Sequence, residues 1–269
     1  MLSAILRHER AVVLGALLAV TLLAWSYLLA GAGMNSAGMD MVGMDMAGMD
    51  MAGMAAGGGS MTMTPPHWTA GYAIMMFLMW AIMMVAMMLP SAAPAVLLAA
   101  ALMRQRGGSV AFGPAGLFVA GYLAIWFGFS LIATLLQWGL DRAGLLPAQM
   151  TSLSVALSGG LMLATGLYQL TRWKRACLIQ CRSPFELLTR YWNRGRLGPM
   201  LAGVRHGLFC LGCCWMIMAL LFVGGVMNIL WIAGLAVLVA LEKLLPAGQR
   251  VSQVIGVLLI VAGAVVLVR

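Results

Sequence analysis

The chain has 269 residues, of which 63% are hydrophobic and 9% are charged, and its mean hydropathy is +1.00. Because soluble domains carry about 25% charged residues, this composition excludes an ordinary soluble domain and predicts an all-α, polytopic bundle of transmembrane helices. The net charge of +9 does not indicate nucleic-acid binding, since the basic residues stand at the ends of apolar runs and in short loops.

Seven apolar runs approach or exceed the roughly 20 residues that a transmembrane helix needs. The first could be a cleaved signal peptide, which would leave six spans, but its length favours a retained anchor. We therefore divide the chain into an anchor or signal (1–30), an external segment (31–66) and a six-helix membrane domain (67–269). The predicted spans are 11–30, 71–98, 112–138, 152–171, 207–225, 228–245 and 251–268.

The basic residues predict the orientation of these spans. With the N-terminus in the cytoplasm, every Lys and Arg except Arg142 and Arg269 faces the cytoplasm, as the positive-inside rule requires. We therefore expect a multi-pass protein of the bacterial inner membrane. The segment 31–66 is then extracytoplasmic.

The external segment contains "GMDMVGMDMAGMDMAGM" at residues 38–54. A period of five matches neither a helix nor a strand, and the many glycines disfavour order, so we expect disorder without a ligand. Thioether sulfur selects Cu(I), and the interspersed aspartates attract cations. A spacer expanded by repeat slippage is the alternative. The predicted metal ligands here are Met39, Met41, Met44, Met46, Met49 and Met51.

The second span follows His67 and is also rich in methionine, reading "YAIMMFLMWAIMMVAMMLPSAAP" from Tyr72. Methionine commonly fills gaps between helices, so core packing is the alternative to metal binding. Pro90 and Pro94 are expected to interrupt this helix, either by a kink that frees carbonyls or by ending it at Pro90. The candidate ligands in this span are Met79, Met83, Met84, Met87 and Met88.

The five cysteines are all predicted near the cytoplasmic side, and their odd number argues against structural disulfides. "CLIQC" places two thiols four residues apart. "HGLFCLGCCWMIM" places an imidazole and three thiols on one helical face, with Met218 one turn deeper. These patterns predict a metal or redox site, although buried cysteines also serve as small hydrophobes. The candidates are Cys177, Cys181, His206, Cys210, Cys213 and Cys214.

The donor types favour Cu(I), because thiolates and thioethers are soft ligands. Zinc is disfavoured, since it rarely uses methionine, and hard cations would need more than the seven acidic residues present. There is no phosphate-binding loop, dinucleotide fingerprint, Ser-His-Asp pattern or pair of carboxylates. We therefore predict no catalytic residues and no enzymatic activity.

Three further features carry structural expectations. The basic loop 172–206 is amphipathic and is predicted to lie against anionic lipid headgroups. Glu242 stands beside Lys243, which predicts a neutralised pair at the membrane interface, although an intramembrane acid is otherwise a functional candidate. Asn228 is expected to cap the following helix.

The six later spans form two groups of three, which suggests an inverted repeat of the kind found in transporters. Aligning Trp80 with Trp215 places Met79 opposite Cys214 and Met83 opposite Met218.

Four blocks of sequence resemble an uncharacterised bacterial family of predicted metal-binding integral membrane proteins. They are "MWAIMMVAMMLPSAAP", "CLIQCRSP", "HGLFCLGCCWMIMALLFVGGVMN" and "EKLLP", and the likeness runs from His67 to Leu267. The resemblance implies a polytopic membrane protein that binds metal. It points to Met83, Met84, Met87, Met88, Pro90, Cys177, Cys181, His206, Cys210, Cys213, Cys214 and Glu242.

The favoured hypothesis is a protein that captures Cu(I) outside and passes it to the cysteine and histidine site. Its expected partners are membrane lipid and either a membrane copper enzyme or a periplasmic copper protein. The alternatives are a transmembrane thiol-disulfide redox conductor and a structural subunit of a membrane complex. The redox alternative is weakened because no cysteine lies in the second, third or fourth span.

Overall fold

The structure, a computed structural model, describes residues 2–31, 68–105, 112–143, 155–192 and 195–268. These residues form helices and short connections without strands, which confirms the all-α prediction. The helices are α1 (Leu2–Leu29), α2 (Ala70–Gln105), α3 (Phe112–Arg142), α4 (Val155–Leu170), α5 (Arg172–Arg182), α6 (Phe185–Trp192), α7 (Gly198–Ala219), α8 (Leu221–Gly224), α9 (Ile229–Leu244) and α10 (Gly248–Val268).

Five stretches in the described residues are long and apolar enough to cross a membrane. The predicted spans 152–171 and 228–245 correspond to α4 and α9, which have 16 residues each. A membrane location is therefore supported, whereas the predicted number of seven spans is not confirmed. The five stretches are Ala11–Leu29, Ala70–Leu102, Gly113–Arg142, Gly198–Gly224 and Gly248–Val268.

Helix α2 continues through both of its prolines and ends at Gln105, so it does not end at Pro90. A proline removes the backbone donor that would bond the carbonyl four residues earlier. For Pro90 that carbonyl belongs to Ala86, and it accepts a hydrogen bond from Trp25 Nε1 at 3.2 Å. A side chain of α1 thus satisfies a group that the apolar core of a membrane would leave unpaired.

Helices α3 and α7 approach each other closely at two glycines. A Cβ atom at Gly203 would overlap the carbonyl oxygen of Phe118, and one at Gly121 would overlap that of Met200. Small residues allow such backbone contact between membrane helices. The approach fixes the position of α7 against α3 near the cysteines.

Glycines also lie between α4 and α10. A Cβ at Gly166 would come within 2.6 Å of the Gly256 oxygen, and one at Gly263 within 2.8 Å of the Gly159 oxygen.

The inverted repeat is not confirmed by the structure. The two tryptophans that suggested it differ in environment, because Trp80 is fully buried whereas Trp215 is exposed.

The predicted basic loop 172–206 contains two short helices and the start of α7. Thr171 caps α5 by accepting a hydrogen bond from the backbone nitrogen of Lys174 at 3.3 Å. Helix α7 begins at Gly198, earlier than the predicted 207, because Pro199 suits the first turn of a helix. His206 therefore lies inside α7. The Asn228 cap on α9 is confirmed by its hydrogen bond to Trp231 N at 3.2 Å.

Candidate metal centre

The three cysteines of α7 lie together in the core. Cys210, Cys213 and Cys214 are each 1% exposed. Their spacing of three and four residues returns them to one face of the helix. The Cys213 and Cys214 thiols both donate to the carbonyl oxygen of Cys210, at 3.1 and 2.8 Å. The shared face predicted from the spacing is therefore present.

A fourth thiol reaches this group from α5. Cys181 is buried in the same core as the α7 cysteines, and the neighbouring sulfurs of Cys210 and Cys213 raise the pKa of its thiol. The structure therefore brings one thiol of "CLIQC" into the region of the α7 cysteines. A thiol must lose its proton to bind a metal ion as a thiolate.

Cys177 occupies the edge of the same region. It is half-buried, and a Cβ at Gly212 would lie 2.8 Å from its sulfur, so it packs directly on α7. Burial raises the pKa of the Cys177 thiol. It is nevertheless more accessible than Cys181.

The methionines of α2 form the opposite wall. Met88 Sδ lies 3.9 Å from Cys214 Sγ, so a thioether and a thiol from different helices meet. We name Cys181, Cys210, Cys213, Cys214 and Met88 the sulfur cluster. The other predicted methionines are buried in the same core, which is compatible with packing as well as with metal binding; they are Met79, Met83, Met84, Met87 and Met218.

Two polar side chains that sequence reasoning did not assign to the site contact Cys210. Tyr122 Oη lies 3.0 Å from Cys210 Sγ and also donates to the carbonyl oxygen of Met88 at 3.2 Å. Lys243 Nζ lies 2.9 Å from the same sulfur. Lys243 could have been predicted as a functional residue, because a lysine within an apolar run is a functional candidate. Nothing in the sequence distinguishes Tyr122 from a packing residue.

His206 lies one turn before Cys210 and is buried between aromatic rings. Its ring centroid is 5.7 Å from that of Phe118 and 5.8 Å from that of Tyr122. Its Nδ1 is buried and has no hydrogen-bond partner among the residues that the structure describes. Because buried polar atoms usually have partners, this nitrogen is the imidazole atom available to a ligand.

Glu242 is neutralised, but not by its neighbour Lys243 as predicted. Its Oε2 accepts from Lys174 Nζ at 2.6 Å, and its Oε1 accepts from Gln169 Nε2 at 3.0 Å. Ser252 Oγ in turn donates to Gln169 Oε1 at 3.0 Å. Adjacent residues of a helix point in directions about 100° apart, so Glu242 faces this polar network whereas Lys243 faces the sulfur cluster.

The remaining predicted residues are Pro90, His67 and the methionines of the external segment. Pro90 is exposed on α2. His67 and the methionines of the external segment, from Met39 to Met51, lie outside the described residues. Those predictions stay predictions.

Copper fits the donor types of the sulfur cluster. Among the described residues, no group of three or more His, Cys, Asp or Glu side chains is already arranged to hold an ion. Met88 adds a thioether from α2 to the thiols of α5 and α7. Buried thiols and a thioether are the soft ligands that Cu(I) prefers.

The comparisons with known proteins agree with this chemistry. The model of the PpoB2 family, described as a copper chaperone, matches residues 77–266 of this chain. No curated protein and no solved structure matches it. The matched region begins in α2 and ends in α10, so it contains the whole sulfur cluster.

Proposed function

We propose, from the premise that the chain belongs to the PpoB2 copper chaperone family, that it is an integral membrane protein that binds and transfers Cu(I). The description of the family supports a role with copper. The oxidation state, the ligands and the route within this chain are our inference from its residues.

The observation that carries the proposal is the meeting of thiol and thioether in the core. Cys214 Sγ and Met88 Sδ are 3.9 Å apart, and both residues are buried. They come from helices that are far apart in sequence, so local periodicity does not bring them together. Cys181 and Cys210 complete a set of soft donors suited to a monovalent copper ion.

We infer an inward order of binding. The external methionines, Met39 to Met51, would capture Cu(I) first, since thioethers bind without losing a proton. The buried methionines of α2 lead from there towards Met88. Thiolates are the stronger ligands for Cu(I), so the sulfur cluster would be the end of this route. The recipient would be a membrane copper enzyme.

The proposal is tested by copper content after anaerobic purification in detergent, from cells supplied with copper and zinc. One background replaces all ten methionines between residues 34 and 63 with leucine, so that the external segment offers no thioether. In that background we expect copper to remain bound. Adding Cys210→Ser, Cys213→Ser and Cys214→Ser should remove most of it, because the soft thiolates are lost.

Cys177→Ser is the matched control, since it changes the same chemical group at the edge of α7 and should retain copper. The thermal midpoint of each variant checks that the fold persists. Copper that is unchanged in the triple variant would refute the sulfur cluster as the site. Zinc in place of copper, or no metal in the wild type, would refute copper handling.

A further inference from the structure

The side chain of Lys243 ends against the sulfur cluster. Lys243 lies in the last turn of α9 and is buried. Its Nζ contacts Cys210 Sγ at 2.9 Å, Ser91 Oγ at 3.2 Å and Met88 Sδ at 3.8 Å. Two of these three atoms belong to the proposed copper ligands.

This environment is unusual for a buried ammonium group. Such a group normally pairs with a carboxylate, because an unpaired buried charge is costly. The nearest acid in sequence, Glu242, is already paired with Lys174. In the described part of the chain, no carboxylate lies within ion-pair distance of Lys243. Its ammonium instead contacts the sulfurs of Cys210 and Met88.

We propose that Lys243 is an internal cation that occupies the sulfur cluster when Cu(I) is absent and is displaced when Cu(I) binds. The proposal rests on the proposed function and deepens it. A cluster of buried thiols needs a compensating positive charge as soon as one of them ionises. The ammonium supplies that charge from within the protein, and it stands between the sulfurs of Cys210 and Met88.

Ser91 can hold the ammonium by a hydrogen bond after it has left the sulfurs. Its hydroxyl donates to the carbonyl oxygen of Met88 at 2.8 Å, so its lone pairs remain able to accept from Lys243. The ammonium can leave the two sulfurs while it retains this bond. Cu(I) and the ammonium carry the same charge, and two like charges in a poorly screened interior repel each other.

The exchange between the Lys243 ammonium and Cu(I) would make copper binding readily reversible. Each ion that enters must replace the lysine, and the lysine replaces each ion that leaves. This exchange weakens retention and favours release to a partner, as a carrier requires. A storage site would lack such a competitor.

The test compares Lys243→Leu with Lys243→Arg and the wild type in a competition titration against a Cu(I) chelator. Purified full-length protein is used in detergent, without oxygen, and all variants are measured at the same pH. Lys243→Leu removes the charge and adds no sulfur donor to the cluster. We expect its Kd for Cu(I) to be lower by about tenfold or more, a difference of roughly 1.4 kcal/mol or more. Lys243→Arg keeps the charge and should not tighten binding.

Ser91→Ala provides a second variant that does not depend on the folding of Lys243→Leu. The ammonium now has Ser91 Oγ and two sulfurs as partners, whereas the displaced ammonium would have lost both sulfurs, so losing the hydroxyl costs the copper-bound state more and should weaken Cu(I) binding several-fold. Equal or weaker binding by a folded Lys243→Leu would overturn the proposal, as would unchanged binding by Ser91→Ala. Failure of the proposed function would look different, because then neither the wild type nor any of these variants would bind Cu(I).

Discussion

Lys174→Met is expected to destabilise the protein by about 3–5 kcal/mol, the cost of leaving one member of a buried ion pair without its partner. Lys174 and Glu242 are each 1% exposed, and their charged atoms are 2.6 Å apart. Without Lys174, the hydrogen bond from Gln169 is what the described residues still offer the carboxylate. Thermal unfolding in detergent should show a midpoint lower by roughly 10 °C.

Two further variants separate the ion pair from other effects. Combining Lys174→Met with Glu242→Gln removes both charges, so it should recover most of the lost stability. Arg172→Met removes a basic side chain that is exposed on the same helix, and we expect a change within about 0.5 kcal/mol. A single Lys174→Met variant as stable as the wild type would mean that the pair is not buried as described.

Gly203→Ala is expected to destabilise the packing of α3 against α7 by about 1–3 kcal/mol, as overpacking usually does. The added Cβ would overlap the carbonyl oxygen of Phe118, which is backbone and cannot rotate away. This cost opposes the roughly 1 kcal/mol by which alanine favours a helix over glycine. Because Gly203 lies two turns before Cys210 on α7, the shift should also lower copper retention.

The matched control is Gly128→Ala on α3. Its Cβ would meet no atom within 4 Å, so only the helix propensity changes and the variant should be as stable as the wild type or slightly more so. Thermal midpoint and copper content are measured for both variants. Equal behaviour of Gly203→Ala and Gly128→Ala would show that α3 and α7 do not meet at Gly203.

Adjacent residues of α9 contact the sulfur cluster and take part in the ion pair. Lys243 contacts Cys210, whereas Glu242 holds Lys174 at the start of α5. The same α5 carries Cys181 into the cluster. The ion pair therefore positions α5, and we expect Lys174→Met to reduce copper retention as well as stability.

Several properties followed from the sequence because they depend on local spacing. Long apolar runs predicted helices, and the structure confirms them. The spacing of Cys210, Cys213 and Cys214 placed them on one face, since an α-helix has a fixed number of residues per turn. Asn228 was recognised as a cap because its side chain bonds a nitrogen three residues away. The soft donors indicated copper before the family match did.

The tertiary structure alone decided which side chains meet. Met88 and Cys214 are 126 residues apart in sequence, and Lys243 and Ser91 are 152 apart. Periodicity gives the face of a helix but not the face of the partner that packs on it. Periodicity could not show that Glu242 pairs with Lys174 and not with Lys243. It also could not show that Trp25 donates to the Ala86 carbonyl oxygen, which loses its backbone donor because residue 90 is a proline. Those contacts depend on how the helices pack, which here is set in part by glycines that let α3 and α7 touch.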